Sequence, residues 1–195
     1  MFRLYEKLPD SVQLDDTEYR LNLAFDVVLL AFEALQDTDM TEDDRLETFL
    51  RLLMVDELPS PDLWVSLFDN VLDLLKLDND SPTRYDVNGD PIEMKAKAAT
   101  PDFEFDHDAQ AIYASFWQAY GIDLFQEQGK LHWYSFQALL NGLPNDTVFS
   151  RIRTIRHTKL EDIKDKNQKR EMRKLKRQVA LPDEPDEEEA DEYGG

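Results

Sequence analysis

Eleven of the chain's 21 aromatic residues fall within residues 103–149: Phe103, Phe105, Tyr113, Phe116, Trp117, Tyr120, Phe125, Trp133, Tyr134, Phe136 and Phe149. Large rings bury more area than other side chains, so a stretch this rich in them belongs to a core. Its punctuation points to helices. Asp106 can cap a helix through Ile112, Tyr113, Phe116 and Tyr120, and Gly121 is placed to end it in the left-handed conformation. A second helix follows Gly129, with Leu131, Phe136, Leu139 and Leu140 at helical spacing until Gly142. Pro144 then breaks the chain, and Asp146 or Thr147 can start a third helix through Phe149, Ile152 and Ile155. The unit expected here is three helices joined by short Gly and Pro turns.

The first part of the chain carries the same helical periodicity after a short extended stretch. Val12 to Leu14 and Tyr19 to Leu21, either side of the polar DDTE, read as a small β-hairpin. Asn22 can cap a helix in which Phe25, Val28, Leu29, Phe32 and Leu35 share a face. Thr41 to Asp44 has the form of a capping box and introduces Leu46, Phe49, Leu50 and Leu53. Ser60-Pro61 offers an N-cap followed by proline at the first helical position, ahead of Trp64, Leu67, Phe68, Val71 and Leu75. The fold class expected is mostly α, a bundle of about six to seven helices with one or two minor β-hairpins.

Residues 78–102 break the pattern, being polar, with Pro82, Pro91 and Pro101 and an Asn88-Gly89 pair that could turn a second hairpin. The organisation expected is therefore an N-terminal hairpin and three-helix cluster over residues 1–77, a polar linker over 78–102, and a C-terminal helical unit over 103–181. That unit ends in a long charged helix from Lys159 to Gln178, stopped by Pro182. Residues 182–195 form an acidic, low-complexity tail with the composition of a disordered segment.

Charge narrows the function classes. The net charge is −20, but residues 151–177 carry 12 basic and 4 acidic side chains, and residues 182–195 carry 8 acidic and no basic ones. A body this acidic repels phosphate, which disfavours nucleic-acid or anionic-membrane binding except through the one basic segment. There is no cysteine, so disulfides, thiolate zinc sites and cysteine nucleophiles are excluded. No apolar run approaches the roughly 20 residues of a membrane span, and Met1 is followed by FRLYEKLPD rather than an apolar signal region. A soluble protein of a reducing cytoplasm is expected.

No catalytic constellation emerges. His107, His132 and His157 lie on three separate elements without short-spaced pairing, and read as surface or structural histidines. Asp15-Asp16 and Asp43-Asp44 are explained by turn and cap chemistry. DVNGD at residues 86–90 lacks the order of a calcium loop, and the chain has neither a Gly-rich phosphate loop nor a GxSxG elbow. The expectation is a non-enzyme with no metal and no cofactor. Two binding surfaces are candidates. Two helices cannot easily bury all the central rings, so Trp117, Tyr120, Phe125, Trp133, Phe136 and Leu140 are candidates for a protein-binding patch, with Trp117 and Trp133 as its partly exposed anchors. Arg151, Arg153, Arg156, Lys169, Arg170 and Arg173 could line a phosphate-binding face, against the plainer reading of a solvated face attracted to the acidic tail or body.

The run IYASFWQAYGIDLF, then GKLHWYSFQALLNGLPNDT, then IRTIR resembles the C-terminal signature of the bacteriophage gene-product-15 family of tailed phages and prophages of Gram-positive bacteria. LPDSVQLDDTEYRLNLAFDVVL is similar to that family's opening, so the resemblance covers roughly residues 4 to 180. It implies a setting in the tail-morphogenesis region, near the genes for the tail-tube and tape-measure proteins. The function so implied is that of a siphophage tail-assembly chaperone in the host bacterial cytoplasm, binding the tape-measure protein and, as a second partner, the tail-tube protein, with room for self-association into a homo-oligomer. The alternatives are a structural component retained in the tail and a nucleic-acid-binding regulator that uses the basic helix.

Overall fold

The computed structural model describes residues 4–76 and 102–182. Among the described residues the chain forms seven α-helices and one two-stranded antiparallel sheet, as the periodicities predict. The predicted linker hairpin and the acidic tail beyond Pro182 lie outside the described residues.

β1 (Ser11–Leu14) and β2 (Thr17–Arg20) make the N-terminal hairpin, with Ser11 opposite Arg20 and Leu14 opposite Thr17. Asp15 takes the turn at φ 51°, a conformation that short polar side chains tolerate. The helices are α1 (Phe25–Gln36), α2 (Glu42–Leu53), α3 (Trp64–Leu75), α4 (Ala109–Tyr120), α5 (Trp133–Asn141), α6 (Val148–His157) and α7 (Lys166–Val179). Their start signals are local. Thr41 accepts from the Asp44 amide at 3.2 Å ahead of α2, and Thr147 accepts from the Ser150 amide at 3.4 Å ahead of α6. A 3₁₀ turn, Pro61–Leu63, leads into α3.

Three starts differ from expectation. α1 begins after Ala24 rather than Asn22, whose side chain instead accepts from the Ala24 amide at 3.2 Å and so turns the chain before the helix. Asp108, not Asp106, precedes α4. The expected helix from Lys159 to Gln178 is interrupted: a 3₁₀ turn at Leu160–Asp162 comes first, and α7 starts afresh at Lys166. The cause is Asp165, which accepts from the amides of Asn167 at 2.9 Å and Gln168 at 2.8 Å and satisfies two donors of a new first turn.

The chain divides into two compact units, and the division is not the expected one. Residues 124–141 belong with the N-terminal helices, and residues 102–123 with residues 142–182. α5 therefore leaves the predicted C-terminal unit. Its rings explain why: Phe136 stacks on Phe25 at 4.8 Å, and Trp133 lies 6.1 Å from Phe32, which in turn meets Phe49 and then Phe68. Backbone and side-chain hydrogen bonds fix the same placement. The Phe25 amide donates to Leu131 at 2.9 Å, the Trp133 amide donates to Leu23 at 2.7 Å, and the Trp133 indole donates to the Leu75 carbonyl at 3.0 Å. The core of the first unit is thus one continuous run of rings through α1, α2, α3 and α5, the packing that stabilises most per residue.

Candidate protein-interaction surface

In the second unit, α4 buries Ile112, Ser115 and Phe116 against α6. A serine on that face has a definite use. Its hydroxyl donates to the Ala111 carbonyl at 2.6 Å and accepts from the Phe149 amide at 3.0 Å, so it satisfies one of the orphan donors in the first turn of α6. Phe149 is fully buried and meets Phe103 edge-on at 5.3 Å.

Trp117 lies about 100° round the helix from Phe116 and is 55% exposed. Tyr120 is half-buried and packs edge-on against Phe116 at 5.7 Å. Phe125 is 67% exposed and belongs to the first unit. The other half of the predicted patch is core. Trp133, Phe136 and Leu140 are buried at 3%, 1% and 4% exposure, because α5 finds a ring-lined site among the N-terminal helices that the local pattern does not reveal. Of the two predicted tryptophan anchors, only Trp117 faces water.

The predicted basic face also divides. Arg151, Arg170 and Arg173 are exposed and Lys169 is half-buried. Arg153 and Arg156 turn inward. Arg156 grips Asp108 at 2.6 and 2.9 Å, and donates to the Asp102 carbonyl at 3.0 Å and the Val179 carbonyl at 2.6 Å. Arg153 lies over the rings of Phe103 and Phe149 at 5.5 and 5.7 Å and donates to the Asp102 carboxylate at 2.6 Å. His157 meets the same Asp102 oxygen at 2.8 Å. Burial pushes the Asp102 carboxyl up, but the hydrogen bonds and charges of Arg153 and His157 outweigh it and leave the pKa below the ordinary carboxylate value.

Asp102 and Asp108 were not candidates from sequence. A usable signal did exist for their partners: Phe149, Arg153 and Arg156 are spaced four and three apart, which puts both arginines on the helix face of a buried ring. A cation forced inward needs an anion, although the spacing does not say which one.

The histidines divide between structural and surface positions. His132 meets the Pro9 carbonyl at 2.9 Å through Nε2 and accepts from the Tyr134 amide at 3.1 Å through Nδ1, while His107 is exposed. Among the described residues no group of three or more His, Asp and Glu side chains is placed to hold a metal ion, and no helix is long and apolar enough to cross a membrane.

No curated protein and no solved structure matches the chain. The family model described as Bacteriophage Gp15 protein matches residues 4–181, a span that takes in the hairpin, the helices α1 to α7, the exposed Trp117 and the buried Arg156. Such a match covers well over half of the sequence, and the chain belongs to the bacteriophage Gp15 protein family.

Proposed function

We propose that the chain is a non-catalytic tail-assembly chaperone that holds the tape-measure protein soluble in the host bacterial cytoplasm while the tail tube polymerises around it, with the tail-tube protein as a second partner. The observation that carries this reading is the indole of Trp117, 55% exposed on a helix whose Ile112 and Phe116 are buried. An indole left in water adds little to its own fold, whereas tryptophan is enriched among the residues that dominate protein interfaces. Membership of a bacteriophage family supplies the setting. The net charge of −20 suits a holder, since strong like charge keeps a complex of hydrophobic helices dispersed. The inward commitment of Arg153 and Arg156 to carboxylates weighs against the nucleic-acid reading, because it removes two cations from the face that would meet phosphate.

The test is capture of the phage's tape-measure protein by the tagged full chain, with Trp117→Ala as the comparison. Retention by the wild type and loss by the variant is expected, with the chain at trace level in purified virions. Stoichiometric recovery from virions would make it a retained tail component instead.

A further inference from the structure

Among the described residues only two of the seven helices, α4 and α5, carry no charged side chain, in a chain of which 33% is charged. Burial explains α5, whose Trp133, Phe136 and Leu140 belong to the core. In α4 it explains the inner face alone. Ala109, Gln110, Ala114, Trp117 and Gln118 are all exposed, and every one of them is neutral. A helix face turned to water ordinarily carries Lys, Arg, Asp and Glu, whereas the centre of a protein interface is depleted of charge and enriched in aromatic rings. The outer face of α4 has the second composition.

Its form restricts what can lie on it. Ala114 and Gly121 stand one turn before and one turn after Trp117 and are exposed, so the indole projects from a low surface on which the ridge of another helix can seat. An added strand finds no footing, because strand addition needs open backbone groups and those of a helix are used within it. Carboxylates mark both ends. Glu104 and Asp106 are exposed ahead of α4 and Asp123 follows it, so 12 neutral residues, about 18 Å of helix, lie between acidic ends.

We propose that the outer face of α4 takes an amphipathic helix of the partner, one with an uncharged apolar seam of about three turns and Lys or Arg at both ends. This rests on Trp117 as the docking residue of the chaperone reading and adds the chemistry of what docks there. The seam covers the indole, while the basic ends meet Glu104 and Asp106 on one side and Asp123 on the other. Charge then guides approach and orientation, and the seam supplies the binding that survives salt.

The test uses the full chain and two labelled synthetic peptides of about 18 residues, long enough to form helix on their own. Both carry Leu at helical spacing; one has Lys at its two ends and the other Glu. The Lys-ended peptide should bind about tenfold more tightly at low salt, and the difference should shrink at high salt while its own binding persists. Trp117→Ala should weaken that binding by about tenfold or more in a chain with unchanged far-UV spectrum and melting. Glu104→Gln with Asp106→Asn should reduce the preference between the peptides, whereas neutralising Asp62 and Asp69, exposed carboxylates of the first unit, should not. A Lys-ended peptide with proline at its centre should fail to bind. Absence of binding by either peptide, equal binding of the two, equal effects of the two neutralised pairs, binding of the proline version or indifference to Trp117→Ala would each overturn the proposal, even where the tape-measure protein is captured. Self-association that Trp117→Ala abolishes would assign the face to a second copy and overturn it too. Binding of the Lys-ended peptide in the expected pattern, without capture of the tape-measure protein, would remove the chaperone reading and leave the α4 site standing.

Discussion

Arg156 of α6 holds Asp108, the residue that precedes α4, through two parallel contacts of 2.6 and 2.9 Å, with the two side chains only 4% and 3% exposed. Asp108 also accepts from the Glu104 amide at 3.2 Å, and the guanidinium spends its other bonds on the carbonyls of Asp102 and Val179. One side chain therefore joins the entry to α4, α6 and the exit from α7. A buried pair contributes little net stability over an apolar pair, since desolvation offsets attraction, but removing one partner strands the other.

Arg156→Met should on that account destabilise the second unit by about 3–5 kcal/mol in urea unfolding. Replacing both partners, as Arg156→Met with Asp108→Leu, should recover a large part of the loss. A single-variant cost of about 1 kcal/mol or less would mean that water reaches the pair.

Gly121 ends α4 at φ 66°, and its amide bonds back to the Trp117 carbonyl at 3.0 Å. A Cβ built there meets nothing within 4 Å, so only the backbone conformation resists a side chain. Gly121→Ala should cost about 1–2 kcal/mol, with Gly121→Asn milder, since asparagine tolerates the left-handed region better. Equal losses for the two would point to a contact rather than to φ.

What could be read from the sequence was local. Thr41, Thr147 and Gly121 act within one turn of themselves, so their roles follow from neighbouring residues alone. α5 shows the limit. Its apolar stripe is the same whichever cluster buries it, and only the stacking of Phe136 on Phe25, 111 positions earlier, decides the matter. Arg156 lies within a basic segment, which makes it a candidate for a phosphate-binding or solvated face, while its partner Asp108 stands 48 residues away. Asp165 could have been read as a cap, but the charged residues either side of it fit an uninterrupted helix as well.

Asp102 sets an acid-side pH dependence. Its folded pKa lies below the ordinary value, so above about pH 5 it is ionised whether the chain is folded or not, and its contribution is complete. As the pH falls, the unfolded chain takes up the proton first; the contribution shrinks and is gone once the folded carboxyl is protonated. The stability gap between the wild type and Asp102→Asn should therefore narrow on acidification. Urea unfolding across the acid range measures it, and a gap that does not change with pH would show that the carboxylate charge is not what Arg153 and His157 hold.

The two tryptophans predicted as twin anchors should separate in experiment. Trp133 is buried, stacks on Phe136 at 5.7 Å and donates to the Leu75 carbonyl at 3.0 Å. Trp133→Ala opens a cavity and orphans that carbonyl, so a loss of about 3–5 kcal/mol is expected in the first unit. Trp117 is 55% exposed, and Trp117→Ala should leave stability within about 0.5 kcal/mol. Capture of the tape-measure protein should respond the other way, with Trp117→Ala weakening it by about 2 kcal/mol, roughly thirtyfold. Measuring unfolding and capture on both variants distinguishes the two roles, because loss of folded protein lowers capacity whereas loss of an anchor lowers affinity. If Trp117→Ala unfolds the second unit, or leaves affinity unchanged in a fully folded chain, the indole is not the docking residue and the proposed surface lies elsewhere.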